Sequence, residues 1–112
     1  MNERDKAHIE RIADEVNFIC GVTSKAAKEQ FLHDDILQHA LCMSLVTIGE
    51  CANHLSEDFK TKYPQLNWVQ IIAVRNIAAH GYWQLDMTQI WQAVEEDIPL
   101  LKAFVDKLIT NQ

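Results

Sequence analysis

An all-α fold, a helical bundle with four main helices, is expected of this sequence on three grounds. Apolar residues recur at steps of three and four along four long stretches, the spacing that gathers them on one face of a helix. No stretch alternates apolar and polar residues for long enough to make a strand. The chain has 112 residues and is 48% hydrophobic, enough to bury one core without disulfide staples, so residues 1–112 read as a single domain.

The elements follow in order. Ile9, Ile12, Val16 and Ile19 form the apolar stripe of an amphipathic helix that should end near Gly21, with Glu10, Arg11, Asp14 and Glu15 mostly opposite. Thr23 or Ser24 is then placed to cap a short connector helix from Lys25 to Phe31. Asp34 or Asp35 caps a long third helix, whose apolar set Ile36, Leu37, Ala40, Leu41, Leu45, Ile48, Ala52 and Leu55 makes it the central core helix. Ser56-Glu57-Asp58 opens one or two turns over 57–62, which Tyr63-Pro64 stops. Asn67 caps the next helix, built on Trp68, Ile71, Ile72, Val74, Ile77 and Ala78; it should stop at His80-Gly81, glycine suiting the left-handed residue beyond a helix end. Asp86 or Thr88 opens the last helix, with Ile90, Trp91, Val94, Ile98, Leu101, Phe104, Val105 and Leu108 on its buried side. Pro99 should kink it, because its ring removes a backbone donor and crowds the preceding turn.

Charge and cysteine usage narrow the function classes. Ten Lys and Arg against sixteen Asp and Glu give a formal charge of -6, which opposes adhesion of the whole surface to nucleic acid or anionic lipid; a nucleic-acid partner requires a local basic cleft. The longest apolar stretch, Ala40 to Ile48, is about half a membrane span, so no membrane association is expected. Cys20, Cys42 and Cys51 are odd in number, sit in apolar helical sequence and follow a polar N-terminus, the pattern of reduced, packed thiols in a cytoplasmic protein. His39 with Cys42 and Cys51 with His54 have ligand-like spacing, but the two pairs lie about 18 Å apart along one helix and cannot share an ion, so no metal site is expected. Glu95-Glu96-Asp97 reads as a solvated face.

The chemistry concentrates in Val74-Arg75-Asn76-Ile77-Ala78-Ala79-His80-Gly81-Tyr82, which sets a guanidinium, an amide, an imidazole and a phenol at one helix end. Asn76 and His80 are four apart and share a face, whereas Arg75 and His80 are separated by roughly 140° and 7.5 Å of rise. They converge if His80 sits at a terminus that departs from the helix, as Gly81 permits. An imidazole that titrates near neutrality beside a guanidinium able to grip phosphate with two donors is a minimal phosphodiester site. RNA supplies its own nucleophile, the 2′-hydroxyl, so neither metal nor cofactor is required. Transesterification gains from two proton handlers and each chain offers one such His, which favours a two-fold dimer sharing a cleft. The structural reading is an Arg75 paired with Glu50 and a His80 that caps a helix. Glu50, in the middle of the central helix, is expected to be buried, where an unpaired carboxylate is costly; it reads as a supporting partner of Arg75 or of the motif amides rather than a base. Trp83 beside the motif reads as a core or interface anchor, with RNA contact as the other reading.

Arg75-Asn76, three residues, then His80-Gly81-Tyr82 matches the R-N-x-x-x-H-x-Y signature, so the chain resembles the HepT-like toxins of the HEPN ribonuclease superfamily. Ile48-Gly49-Glu50-Cys51-Ala52 resembles the Gly-Glu-Ala stretch of that family's long helix, and Asp97-Ile98-Pro99-Leu100 its kinked last helix. The likeness runs over nearly the whole chain. It implies an antiparallel, HEPN-like four-helix bundle and a homodimer with its cleft at the interface. It also implies metal-independent endoribonuclease cleavage of RNA that leaves a 2′,3′-cyclic phosphate and a 5′-hydroxyl. On these terms Arg75 and His80 are catalytic, Asn76 positions them, and Tyr82 is the hydroxyl that a cognate minimal nucleotidyltransferase antitoxin of the MntA type modifies by AMPylation, as in a type VII-like toxin-antitoxin system. The other reading is a non-catalytic helical module that serves as the substrate-binding partner of a nucleotidyltransferase.

Overall fold

In a computed structural model of the chain, residues 1–81 and 87–111 are described, apart from the side chains of Ile77 and His80. Six helices span them: α1 Glu3–Thr23, α2 Lys28–Leu32, α3 Asp35–His54, α4 Glu57–Lys62, α5 Trp68–Gly81 and α6 Met87–Thr110. No strand occurs among the described residues.

Paired contacts give the directions of the four long helices. Asp5 of α1 meets Ser56 just beyond α3, while Glu15 meets Ser44. Phe59 meets Trp68 at the start of α5, while Gly49 of α3 lies against Arg75. Trp68 meets Phe104, while Val74 and Asp97 line one cleft. Numbers rise along one helix as they fall along its neighbour, so α1, α3, α5 and α6 form an antiparallel up-and-down bundle, as expected.

Local chemistry explains most helix starts. Asn2, Asp34, Ser56 and Asn67 each accept the backbone N–H three residues on, at 2.6, 3.0, 3.1 and 3.0 Å, satisfying a donor that the first turn leaves orphaned. The first connector differs from its expectation. α1 continues past Gly21 to Thr23, and α2 begins only at Lys28, after Ala27, with no side-chain cap. Thr23 and Ser24 turn their hydroxyls back, donating to the carbonyls of Ile19 and Gly21 at 3.0 and 2.8 Å. They finish α1 instead of starting α2, because the last carbonyls of a helix also need partners.

α3 is the central helix, burying Leu41, Cys42, Leu45, Ile48, Cys51 and Ala52 against Ile9, Ile12, Val16 and Ile19 of α1 and against α5. Ile36, expected on that face, is 83% exposed. It sits about 150° around the helix from the centre of the buried stripe, a displacement that a list of apolar positions conceals. Phe31 docks α2 against Trp91 at 5.2 Å, and at the other end Phe59, Tyr63, Trp68 and Phe104 cluster, with the Trp68 indole N–H donating to the Tyr63 carbonyl at 3.0 Å. That cluster anchors the start of α5, the helix that carries the motif. α6 continues through Pro99, which lacks the N–H that would reach the Glu95 carbonyl. No helix among the described residues is long and apolar enough to cross a membrane.

Candidate active site

Trp68, Ile71, Val74 and Ala78 bury one side of α5, and Arg75 lies at the edge of that side, against α3. The approach is unusually close. A Cβ built on Gly49 would stand 2.3 Å from the Arg75 Cβ and 3.3 Å from its Cα, so only glycine lets the two backbones meet at this point. This is the residue that reasoning from the motif missed. Its signal was present, since a lone glycine inside a helical pattern costs about 1 kcal/mol relative to alanine and needs a packing reason.

Arg75 then reaches two acceptors. Its Nη1 donates to Glu50 Oε1 at 2.7 Å, a charge-assisted bond between α3 and α5, and its Nε and Nη2 both donate to Asn76 Oδ1, at 3.2 and 2.9 Å. Three of the five guanidinium donors are engaged in these contacts. The expected partnership of Glu50 with Arg75 is therefore present, but its setting differs. The Glu50 side chain is 47% exposed and that of Arg75 25%. Glu50 lies next to the buried stripe of α3 and not within it, so the pair is reachable by solvent and by a ligand.

A second ion pair lies on the α1 side of α3. Buried Ser44 donates to Glu15 at 2.8 Å, and Glu15 pairs with Arg11 at 3.4 Å. Between them, burial raises the Cys51 thiol above its ordinary value; Arg11 pulls it down, while Glu15 and Glu50 push it further up. Cys42 and Cys51 are buried and Cys20 half-buried, all three as free thiols, in keeping with the packed role expected of them. Among the described residues no group of three or more His, Cys, Asp or Glu is placed to hold a metal ion.

α5 runs through Gly81 instead of stopping ahead of it, so helical spacing holds from Arg75 through Gly81. His80 is in the last turn, one turn beyond Asn76. Its side chain lies outside the described residues, as do Tyr82 and Trp83, and the convergence expected of Arg75 and His80 falls there too. In the acidic run on α6, Glu95 and Glu96 are exposed as expected, and Asp97 departs. Asp97 is half-buried and lines a cleft of about 410 Å³ between α5 and α6 with Asn67, Gln70, Gln89, Gln92 and Glu96. Desolvation, and secondarily the charge of Glu96, raises its carboxyl above the ordinary value.

Known proteins place this arrangement in context. Residues 10–108 match the family model described as Ribonuclease HepT-like. The chain is 33% identical over 108 residues to a probable ribonuclease HepT of Thermococcus cleftensis, covering 96% of this chain and 98% of the relative. It is 30% identical over 107 residues to a protein of Methanocaldococcus jannaschii named as a candidate RNase, covering 95% and 98%. A second candidate RNase of that organism is 32% identical over 100 residues, covering 88% and 83%. No solved structure matches the chain.

Proposed function

The chain belongs to the HepT-like ribonuclease family, and from that premise we propose that it is a metal-independent endoribonuclease, the toxin of a toxin-antitoxin pair, which acts as a homodimer through Arg75 and His80. The observation that carries this reading is the guanidinium of Arg75, tethered along its Nε edge by Asn76 at the solvent border of the bundle, with His80 one turn further along the same helix.

The reaction uses only groups in the chain and the substrate. A base takes the proton of a ribose 2′-hydroxyl, the oxygen attacks the adjacent phosphorus, and the 5′-oxygen leaves with a proton from an acid. A 2′,3′-cyclic phosphate and a 5′-hydroxyl result. Arg75 offsets the negative charge that builds on the phosphoryl oxygens. His80, in the last turn of α5, handles protons. One His per chain serves one proton transfer, and a second copy supplies the other. Tyr82, two residues beyond His80, is the site where a cognate minimal nucleotidyltransferase attaches AMP. The added anion competes for Arg75 and its bulk blocks the cleft.

The test is cleavage of RNA by chelator-treated protein, with the new ends analysed. Wild type yields cyclic phosphate ends, while His80→Ala and Arg75→Ala do not. Cleavage by His80→Ala at the wild-type rate overturns the mechanism.

A further inference from the structure

A guanidinium stabilises a phosphoryl transition state only if its plane is fixed before substrate arrives, because orienting a flexible side chain during the reaction forfeits the advantage of preorganisation. Asn76 alone does not supply this. It is the immediate chain neighbour of Arg75, and adjacent residues on a helix do not face each other, so its contact holds one edge of the fork from the same element. The second anchor comes from another helix. Glu50 on α3 takes a donor from Nη1 at 2.7 Å, while Asn76 holds Nε and Nη2. One further N–H on each terminal nitrogen then remains to donate to a phosphate.

The exposure of the ion pair says what it is for. With side chains 25% and 47% exposed, an Arg–Glu bridge adds little to stability. Its consequence is orientation. Gly49 acts on the same side chain by a different route. A Cβ there would lie 2.3 Å from Arg75 Cβ and 3.2 Å from its Cγ, so alanine forces the stem of Arg75 away from α3 and from Glu50.

We infer that Gly49 and Glu50 are positioning residues for Arg75: Gly49 admits the stem of the side chain against α3, and Glu50 fixes the plane of its guanidinium. This rests on the phosphate-gripping role of Arg75 proposed above, and its test separates the two. Cleavage of a fluorogenic RNA oligonucleotide is followed under single-turnover conditions, enzyme in excess, so that slow variants still give rates. Glu50→Gln is expected to lower the maximal rate by about 10- to 100-fold, with the half-saturating enzyme concentration within about twofold of wild type and an unchanged melting temperature. In an Arg75→Ala background the same substitution should have no further effect, because a residue that acts through Arg75 has nothing left to act on. Gly49→Ala should lose rate in the same way while keeping its helical circular dichroism. If Gly49→Ala fails to fold, the Glu50 cycle decides alone. A wild-type maximal rate for Glu50→Gln, with Arg75→Ala impaired, overturns this inference and leaves the role of Arg75 standing. A further loss from Glu50→Gln on top of Arg75→Ala also overturns it. Equal cleavage by wild type and Arg75→Ala overturns both.

Discussion

Asp5 offers a direct test of what joins the ends of the bundle. Its carboxylate is 3% exposed and accepts two bonds from one residue 51 positions away: the Ser56 N–H at 2.9 Å and the Ser56 hydroxyl at 2.6 Å. The Ser56 oxygen in turn accepts the Phe59 N–H at 3.1 Å, so the contact locks the cap of α4 to the first turn of α1. Asp5→Ala removes both acceptors and leaves two Ser56 donors without their partner. A hydrogen bond to a charged group is worth about 1.5–3 kcal/mol, and two would sum to more, but the substitution also relieves the cost of burying the charge. The expected net loss is about 3 kcal/mol, or a fall in melting temperature of roughly 12 °C for a domain of this size. Urea denaturation should show a lower midpoint at unchanged slope.

The pH dependence supplies the second half of the test. Burial alone would raise the Asp5 carboxyl, but the Ser56 hydroxyl and N–H, helped by the nearby side chains of His8 and Arg4, hold it below its ordinary value. A depressed carboxyl contributes stability that is present above the unfolded pKa, about 3.9, and is lost as pH falls through the lower folded value. The gap between wild type and Asp5→Ala should therefore be full at pH 6 and shrink below about pH 4. A loss under about 1 kcal/mol at pH 6, or a gap that stays constant down to pH 2, refutes the reasoning.

Two other outcomes are expected. Asp97 titrates with the opposite sign: its raised carboxyl penalises the folded state once ionised, so Asp97→Asn should raise the melting temperature at pH 7 and leave it unchanged near pH 3, and a fall at pH 7 contradicts this. On the proposed toxin-antitoxin reading, incubation with a cognate nucleotidyltransferase and ATP should add AMP mass to wild type and none to Tyr82→Phe; an adduct retained by the variant places the modification elsewhere.

The candidate site was legible in the sequence as far as its members share one helix. The spacing of Arg75, Asn76 and His80 could be read because a helix fixes angle and rise per residue. The exposed position of Glu50 and the identity of the side chain that Gly49 admits could not, since both depend on where α5 lies relative to α3. Asp97 shows the same limit, its half-burial following from the cleft between α5 and α6 and not from the acidic run around it.

Local patterns in the chain suffice for the helices, their order and three of their starts. Apolar periodicity and the caps Asp34, Ser56 and Asn67 act within a few residues, where chain connectivity already sets the geometry. It takes the packed bundle to make Thr23 and Ser24 close α1, turn Ile36 away from the core, bring Asp5 to Ser56 and rest Arg75 on Gly49. Each of these turns on which competing partner or which side of a helix the packed bundle presents. Small rotations of one helix against another settle that choice, and no local pattern encodes them.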